Sequence, residues 1–443
     1  MKPKEVQVEI KNYRLETATA IALITLLGFL ITMTSFIVLL FAFGKQGLNG
    51  HLFGSLDFFD FYGLMAASRE IVIPWNSTTF DINPWAGDSP TPYSSIGLFI
   101  FKVIAILIPN SPQSIVNSGL IFNLLGAMSL CFPIFDSLKP YPKTQRLLIG
   151  IVISCLSYPS IFGFSRANIA VLFVTPIYII LKNTFAKKPT QRYKIILSLV
   201  FVVGIKFSYA PLLLLYVVKT KRREIFYPTI SLIIGMYLLS FAFFTGNIVE
   251  MISGHIQGLL SFSQRIEPAQ NFFFNTSLNA GMLTFFAIVM GVESVVVIFL
   301  LNYSFVIGLC YTGLVLWILI RRRCPYWYQA FLLMSVIALA PSISYAYNST
   351  YLMAIFGLVF LDDNLHNILK SKKGKLNYFA KLMTGIGLLF ISASDFFWIE
   401  ITNEIATSSK SLTIPIGAIL MLFTSLLFDK KRDNLKFTRK SFN

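Results

Sequence analysis

The stretch that determines the fold class is residues 17–43, TATAIALITLLGFLITMTSFIVLLFAF, which contains no charged side chain. A helix of about 20 apolar residues crosses the hydrocarbon core of a bilayer, so this stretch is long enough to span a membrane. Comparable uncharged stretches run from Ile225 to Phe244, from Ser294 to Ile320 and from Ser411 to Phe428. Because backbone groups in lipid must be paired within the segment, the sequence predicts an all-α membrane protein.

The composition supports the same class. Hydrophobic residues make up 55% of the chain and charged residues 13%, and the mean hydropathy is +0.70. These values exclude an ordinary soluble domain and are typical of polytopic membrane proteins. The net charge of +17 would indicate nucleic acid in a soluble protein. Here the basic residues lie between apolar runs and in the tails, so the positive-inside bias explains them and no nucleic acid partner is expected.

We expect a bundle of about twelve helices, within a range of about eleven to thirteen. The first is a retained signal anchor, and the basic residues Lys2, Lys4, Lys11 and Arg14 place the amino terminus in the cytoplasm. The candidate crossings are Thr17 to Phe43, Tyr93 to Pro109, Ser114 to Phe135, Leu147 to Phe164, Asn168 to Leu181, Ile195 to Val218, Ile225 to Phe244, Ser294 to Ile320, Tyr328 to Ser342, Tyr351 to Leu361, Leu382 to Trp398 and Ser411 to Phe428.

Strict alternation of these crossings conflicts with the positive-inside rule at one place. It puts the basic segment from Lys182 to Lys194 outside. Two explanations remain open at this point. Either the rule is broken locally, or the segment from Ile195 to Val218 is a re-entrant pair hinged at Lys206 to Pro211 and an earlier segment also fails to cross.

The whole chain, residues 1–443, is predicted to be one integral membrane domain. Two long polar intervals lie on one face, and simple basic turns lie on the other, which indicates function at the outer face of the membrane. The predicted parts are a signal-anchor helix at 17–43, a first outer loop with short interfacial helices at 44–92, core helices at 93–244, a second outer loop at 245–293, C-terminal helices at 294–428 and a basic cytoplasmic tail at 429–443.

The first outer loop contains the candidate catalytic residues Asp57 and Asp60. Partial desolvation at a membrane boundary raises the basicity of a carboxylate and suits it to take a proton from an acceptor hydroxyl. Three residues apart, the two side chains would share one face of a short helix. The alternative of equal weight is an interfacial or helix-capping aspartate without chemistry.

Basic side chains near or within the apolar runs are candidates for binding an anionic group. Arg69 and Lys102 add positive charge near the first loop, and Arg166 and Lys206 lie where apolar runs are interrupted. Arg or Lys contacts to a phosphate leaving group would assist its departure without a metal. The simpler alternatives are a snorkelling Lys102, which by itself is favoured, and an ordinary boundary position for Arg166.

Asn275, in the second outer loop, is a candidate for hydrogen bonds to a sugar hydroxyl or a phosphate, although loop polarity alone would explain it. It also begins an Asn-Thr-Ser pattern, as Asn348 begins an Asn-Ser-Thr pattern, and both are potential glycosylation acceptors in a secretory compartment. The cysteines and histidines are too scattered to predict a metal site. No cofactor is expected, although the two aspartates of the first loop could bind a divalent cation.

Several short strings occur in the order found in the bacterial polyprenol-phosphate-mannose-dependent mannosyltransferases (glycosyltransferase family 87), and the chain resembles this GT-C family over about residues 1 to 361. Two departures are a missing double proline after Tyr93 and a stretched segment after Lys206. The matching strings are Asp60-Phe61 with Ala67 and Arg69, Pro92-Tyr93-Ser94-Ser95 with Ile108-Pro109, Arg166-Ala167-Asn168-Ile169, Lys206-Phe207-Ser208-Tyr209-Ala210-Pro211, Asn275-Thr276-Ser277-Leu278 and Ala340-Pro341-Ser342-Ile343-Ser344-Tyr345.

The resemblance implies a GT-C-like fold, Asp60 as the catalytic base, and a sugar donor carried on a polyprenyl phosphate in the outer leaflet. Together these arguments predict an inverting, mannosyltransferase-like hexosyltransferase of the plasma membrane that serves the cell envelope, acts on a lipid-linked or glycan acceptor, and has both termini in the cytoplasm. Asp57 would assist or orient. The candidate substrate-binding residues are Arg69, Tyr62, Tyr93, Lys102, Arg166, Asn168, Lys206 and Asn275.

Two other classes stay open. A flippase or secondary transporter for lipid-linked oligosaccharides would also be polytopic and basic, with its ionisable residues near the membrane midplane. An O-antigen-type polymerase would be expected to have arginine-rich outer loops, whereas the first loop here is acidic and aromatic.

Overall fold

The fold was obtained as a computed structural model. It describes residues 3–43, 94–108, 111–184, 191–214, 216–217, 220, 222–241, 249, 252–257, 275–322, 324–341, 344–361, 374–392, 398–400, 406–408 and 410–426. All of the predicted first outer loop (44–92), part of the second and the basic tail lie outside these ranges.

Within the described ranges the chain is almost entirely helical, which confirms the predicted all-α class. Short 3-10 turns cover Ile169–Val171, Phe207–Tyr209 and Ala346–Tyr351, and a two-stranded antiparallel ribbon pairs β1 (Trp398–Glu400) with β2 (Ala406–Ser408). The α-helices are α1 (Pro3–Phe43), α2 (Ser95–Leu107), α3 (Pro112–Ser137), α4 (Lys143–Cys155), α5 (Tyr158–Ser165), α6 (Val174–Thr184), α7 (Arg192–Ile205), α8 (Pro211–Leu214), α9 (Arg223–Phe241), α10 (Leu278–Met290), α11 (Val295–Asn302), α12 (Ser304–Arg321), α13 (Tyr326–Leu339), α14 (Leu352–Leu361), α15 (Gly374–Ser392) and α16 (Lys410–Leu426).

Three described helices are long and apolar enough to cross a membrane, with spans at Arg14–Ile31, Val116–Ser137 and Ser304–Arg321. A fourth is reached if α4 and α5, which meet at a bend of 77°, count as one span. The fold is therefore a helical bundle with the lengths and composition of a membrane protein. The number of about twelve crossings and the GT-C arrangement stay predictions, because many of the predicted crossings are shorter or broken helices.

The centre of the bundle consists of α13 and α14. Every residue of α13 is buried except Gln329, and α14 is buried from Leu352 to Phe360. A helix that is apolar all round must be enclosed by others. By contrast, α3 exposes a row of large apolar side chains, including Leu120, Leu124 and Met128. This row is the surface expected to face lipid.

Basic side chains gather at one end of the bundle, here called the basic end. At the end of α3, Asp136 pairs with Lys139 at 2.7 Å and with Lys182 of α6. Arg146 of α4 donates to the carbonyl of Phe135, with Nε at 2.9 Å and Nη2 at 2.6 Å. The basic end thus joins α3, α4 and α6 through their charged termini.

Helices α4, α5 and α6 form an excursion that starts and finishes at the basic end. Its tip follows α5, where the carbonyl of Phe164 accepts a hydrogen bond from Asn123 Nδ2 at 2.8 Å. Asn123 and Asp136 are thirteen residues apart on α3, so at 1.5 Å per residue the tip lies about 20 Å from the basic end. The predicted crossings Leu147 to Phe164 and Asn168 to Leu181 are therefore the two limbs of one excursion, a geometry that fits a re-entrant segment.

A second excursion follows directly. Helix α7 ends at Ile205, and the chain turns through Phe207–Tyr209 and α8 back to Tyr216. The Tyr216 hydroxyl donates to the carbonyl of Ile180 at 3.2 Å, and Arg222 Nη1 donates to the carbonyl of Asn183 at 3.4 Å. Of the two explanations left open by the sequence, the structure favours the re-entrant pair hinged at Lys206 to Pro211 together with an earlier non-crossing segment.

The opposite end of the bundle is reached by α9. Its last turns contact α2, where Ser95 Oγ donates to the carbonyl of Tyr237 at 3.4 Å and Ser240 Oγ donates to Ser95 Oγ at 2.5 Å. The Ser94 N–H donates to the carbonyl of Ile205 at 3.2 Å, which places the start of α2 at the tip of the second excursion. We call this the tip end, because both excursions turn toward it.

Candidate functional site

The segment from Ser344 to Asn348 joins α13 to α14 at the tip end, and the candidate site is built around it. Tyr345 pairs with Asn275 as an isolated antiparallel bridge, and the Thr276 N–H donates to the Ser344 carbonyl at 2.7 Å. The Asn348 N–H donates to the carbonyl of Tyr345 at 2.9 Å. These backbone bonds hold the segment between two central helices.

The amide oxygen of Asn275 fixes this segment to α10. Asn275 Oδ1 accepts from the Ser277 N–H at 3.0 Å and from the Ser344 N–H at 2.9 Å. Ser277 Oγ in turn accepts from the Ala280 N–H at 3.1 Å and caps α10. Asn275 is buried, with 1% of its surface exposed. Its position therefore joins the start of α10 to the Ser344–Asn348 segment.

Lys206 lies at the tip of the second excursion, directly after α7. Its Nζ donates to Asn348 Oδ1 at 3.2 Å and lies 5.6 Å from the centroid of the Tyr347 ring. Lys206 is half-buried. The amide oxygen accepts a hydrogen bond from the ammonium, and the face of the aromatic ring attracts its positive charge.

Arg166 lies at the tip of the first excursion and meets the same segment from the other side. Its Cζ is 5.9 Å from the centroid of Phe162 and 5.8 Å from that of Tyr345. Phe162 stacks on Tyr347 at 6.0 Å, and Tyr345 lies 5.6 Å from Tyr347. A guanidinium meets aromatic rings through its face, whereas its in-plane N–H groups are the donors that match phosphate oxygens.

The turn that presents Arg166 has a backbone conformation that is rare for a residue with a side chain. Ala167 has φ 46°, in the left-handed region. Asn168 follows, and its Oδ1 accepts from the Ala170 N–H at 2.9 Å. Asn168 is buried, and this bond caps the short 3-10 turn after it. Strained backbone of this kind concentrates at functional sites.

A histidine of the second long polar interval packs against Phe207, the residue that follows Lys206. His255, within the helical residues 252–257, bonds through Nδ1 to the Tyr237 hydroxyl, and its ring centroid lies 5.9 Å from that of Phe207. Burial lowers the pKa of His255 to about 4. The imidazole is therefore neutral near pH 7 and adds no charge beside Phe207.

The structure brings together three of the predicted site residues, Arg166, Lys206 and Asn275, with Asn168 two positions beyond Arg166. Lys102 is on α2, half-buried and about 10 Å along the helix axis from Ser95. Among the described residues there is no group of three or more His, Cys, Asp or Glu side chains placed to hold a metal ion. The predicted residues that lie outside the described ranges are Asp57, Asp60, Tyr62, Arg69 and Tyr93.

Sequence reasoning missed Tyr347 and Asn348, and quoted Tyr345 only as part of a longer string. Asn348 was considered only as a glycosylation acceptor, whereas it is buried, with 8% of its surface exposed. The signal available was the polar and aromatic string Ser344-Tyr345-Ala346-Tyr347-Asn348 between two strongly apolar helices. Such an interruption indicates backbone that is buried in protein or lines a cavity.

The chain was compared with protein-family models, with curated proteins and with solved structures, and none of them matches it.

Proposed function

We propose that the chain is an inverting glycosyltransferase of the plasma membrane. It moves a hexose, as in the mannosyltransferases it resembles, from a polyprenyl-phosphate donor to a lipid-linked or glycan acceptor. The bound anion is the donor phosphate, and the two excursions supply Arg166 and Lys206 to hold it. The first outer loop supplies the base.

The observation that carries the proposal is the convergence of two cations on one segment. Arg166 and Lys206 come from separate excursions, and their charges meet Tyr345, Tyr347 and Asn348. Ionisable side chains at membrane depth are costly and usually serve a substrate or an ion. Two cations beside aromatic and amide groups suit an anion that carries a long apolar tail.

The charge distribution supports placing this reaction at the outer face of the membrane. The basic end holds Lys139, Arg146 and Lys182, which the positive-inside rule places in the cytoplasm. The tip end then faces outward, where the outer leaflet presents polyprenyl-linked sugars. Both termini lie on the cytoplasmic side in this arrangement, and no nucleic acid is involved.

In the proposed reaction Asp60 accepts the proton of the acceptor hydroxyl. The resulting oxygen attacks the anomeric carbon from the face opposite the phosphate, and the carbon–oxygen bond to the phosphate breaks. The electron pair leaves with the polyprenyl phosphate, whose charge grows as the bond breaks. Arg166, Lys206 and Arg69 stabilise that growing charge, while Asp57 orients Asp60 or the acceptor.

The test is transfer by the purified full-length protein from synthetic polyprenyl-phosphate sugars, with a panel of hexoses. We expect product with inverted anomeric configuration from the wild type, and a loss of at least 100-fold in Asp60→Asn, as removal of a general base implies. Asp57→Asn is the matched control and should lose less. A folded Asp60→Asn variant with full transfer would show that the base is assigned wrongly.

One observation favours a second candidate, a flippase or transporter for lipid-linked sugars. Broken helices that place charged groups at mid-depth are typical of secondary transporters, and the tip of the first excursion lies about 20 Å from the basic end. A transporter would move labelled lipid-linked sugar across proteoliposomes without forming a new glycosidic bond. The same protein preparation can be assayed for both activities.

A further inference from the structure

Two cysteines from neighbouring helices lie side by side in the bundle. Cys131 of α3 and Cys155 of α4 are 24 residues apart in sequence, and their Sγ atoms are 3.9 Å apart. The sulfur–sulfur bond of a disulfide is about 2.0 Å long, so the two atoms need about 2 Å of further approach. Rotation about the Cα–Cβ bonds can close this gap, because the two helices already pass close to each other.

Two contacts beside the sulfur atoms show how closely α3 and α4 approach. Ser154 Oγ donates to the carbonyl of Leu130 at 3.0 Å, so the residues before the two cysteines are already hydrogen-bonded to each other. A Cβ placed at Gly150 would lie 3.9 Å from Cys131 Cβ. The Cβ atoms of a disulfide are about 3.5–4.5 Å apart, so the helices pass here at the separation that a disulfide needs.

The pair lies at the outer surface of the bundle. Both cysteines are half-buried, and two apolar side chains next to them, Phe132 beside Cys131 and Ile151 one turn before Cys155, are 41% and 42% exposed. On α3 this surface continues the apolar row expected to face lipid. Apolar molecules leave water for an apolar environment, so a lipophilic oxidant becomes concentrated beside these two thiols.

The pair also lies at the bend of the first excursion, because Cys155 is the last residue of α4. Helices α4 and α5 meet there at 77°, and α5 leads to the turn that presents Arg166. Helix α3 already holds the tip through the hydrogen bond from Asn123 to the Phe164 carbonyl. A covalent bond at the bend would attach the excursion to α3 at a second point.

We propose that Cys131 and Cys155 form a disulfide when an organic hydroperoxide enters the surrounding membrane, and that this bond fixes the bend between α4 and α5. The sulfur of one thiol attacks the terminal oxygen of the hydroperoxide, the O–O bond breaks, and the alkoxide takes the thiol proton and leaves as an alcohol. The first cysteine is then a sulfenic acid.

The second cysteine completes the reaction. Its sulfur attacks the sulfur of the sulfenic acid, the S–S bond forms, and the S–O bond breaks. The hydroxide takes the proton of the second thiol and leaves as water. In total, two thiols are oxidised to one disulfide, and one hydroperoxide is reduced to an alcohol and water.

The test is oxidation of the purified full-length protein in lipid nanodiscs with cumene hydroperoxide, followed by denaturation, alkylation with a maleimide and mass spectrometry. The chain contains four cysteines, so we expect four labels before treatment and two after it. Peptide mapping should find Cys131 joined to Cys155. The melting temperature should rise by about 3 °C or more, because the cross-link restricts the unfolded chain, and dithiothreitol should reverse the rise.

Serine variants and a third cysteine supply the controls. Cys131→Ser and Cys155→Ser should each form no disulfide within the chain and show no rise in melting temperature on treatment. Cys310→Ser removes an exposed thiol on α12 and should leave both the disulfide and the rise unchanged. Cumene hydroperoxide should oxidise the wild-type pair at least about tenfold faster than hydrogen peroxide at the same concentration, because only the former accumulates in lipid.

Three results would each overturn part of the proposal. A treated wild type without the Cys131–Cys155 disulfide would show that the two cysteines are only small apolar side chains. Equal oxidation rates with the two peroxides would exclude the route through lipid. A disulfide that leaves the melting temperature unchanged would exclude its role at the bend. None of these measurements involves sugar transfer, so this proposal and the proposed glycosyltransferase activity succeed or fail separately.

Discussion

Lys182 and Asp136 form an ion pair that joins the end of α6 to the end of α3, and the Tyr178 hydroxyl donates to the same carboxylate at 2.9 Å. This contact returns the first excursion to the end of the bundle where it began. A segment with the hydropathy of two crossings thus begins and ends at the same end of the bundle.

Replacing Asp136 by Asn should therefore destabilise the protein. The Asp136 side chain is 9% exposed and accepts from two lysines and from the buried Tyr178 hydroxyl, so its loss leaves these three donors with a weaker partner. Because Lys139 and Lys182 are 68% and 34% exposed, solvent screens much of the effect, and we expect about 1–3 kcal/mol. The measurement is thermal unfolding in detergent.

The exposed partner supplies the control for Asp136. Lys139→Gln removes a surface ion pair, which contributes about 0–1 kcal/mol, and should leave the melting temperature nearly unchanged. Equal losses for Asp136→Asn and Lys139→Gln would contradict the role given to the pair with Lys182.

Gly308 is required for the contact between α12 and the end of α13. A Cβ at Gly308 would lie 2.1 Å from the carbonyl oxygen of Ala340, which is backbone and cannot move aside. Gly308→Ala should cost about 2 kcal/mol or more. Close approach of helices through small residues is typical of membrane bundles.

The same helix contains a matched control. A Cβ at Gly313 meets nothing within 4 Å. Gly313→Ala should keep or raise the melting temperature, since Ala is favoured over Gly in a helix by up to about 1 kcal/mol. If both variants melt alike, the packing of α12 on Ala340 is not as described.

Ala167→Gly should stabilise the protein. The left-handed φ of 46° costs an alanine roughly 1–2 kcal/mol and a glycine very little, so we expect a net gain of about 0.5–1 kcal/mol after the added chain entropy. Ala170→Gly is the control, because Ala170 lies in the neighbouring 3-10 turn. It should lose stability, and a gain there would show that the effect does not come from the backbone of Ala167.

Lowering the pH should destabilise the protein because of His255. Its pKa is about 4 in the fold and about 6.5 when unfolded, so the unfolded chain binds the extra proton first. The stability that neutral His255 contributes is fully present above pH 6.5 and is lost as the pH falls from 6.5 toward 4. The loss is about 3 kcal/mol at most. Melting temperatures between pH 7 and 4.5 should drop less in His255→Gln than in the wild type. Parallel curves would exclude this assignment.

Arg166→Lys should weaken transfer although it keeps the charge. The lysine lacks the planar group that meets Phe162 and Tyr345, and it lacks the paired N–H donors that match a phosphate. We expect kcat/KM to fall at least tenfold, and further in Arg166→Gln. Arg146→Lys is the matched control at the basic end, where the arginine lies 3.7 Å from the Phe135 ring centroid. It should lower stability but leave transfer in the folded protein unchanged.

Composition and apolar run length were sufficient to predict an all-helical membrane protein. They did not decide how α4–α6 and α7–α8 run, because a helix that enters and returns has the same hydropathy as one that crosses. The contact that reveals the return, between Asp136 and Lys182, joins residues far apart in sequence. Only the basic segment after Lys182 indicated the problem beforehand.

At the candidate site, breaks in the apolar runs drew attention to Arg166 and Lys206, and the structure places both beside the Ser344–Asn348 segment. Their role in binding an anion stays a prediction. The sequence identified Asn275 as a polar loop residue. Its side chain accepts hydrogen bonds from the Ser277 and Ser344 N–H groups, and Ser344 is a partner that lies far away in the chain. The polar string that contains Tyr347 and Asn348 is visible in the sequence, but their contacts with Phe162 and Lys206 are not, because those partners lie far away in the chain.

The two half-length excursions constrain the order in which parts of the protein can pack during its synthesis. A short limb such as α5 or α8 cannot be released into lipid alone, since its turn exposes unpaired backbone groups. Helix α14 covers part of the first excursion, and its Gly357 fits against Pro133 and Tyr178. This helix is translated long after the tips of both excursions. The two turns that carry Arg166 and Lys206 therefore reach their final packing only after α14 has been made, and the candidate site forms late in synthesis.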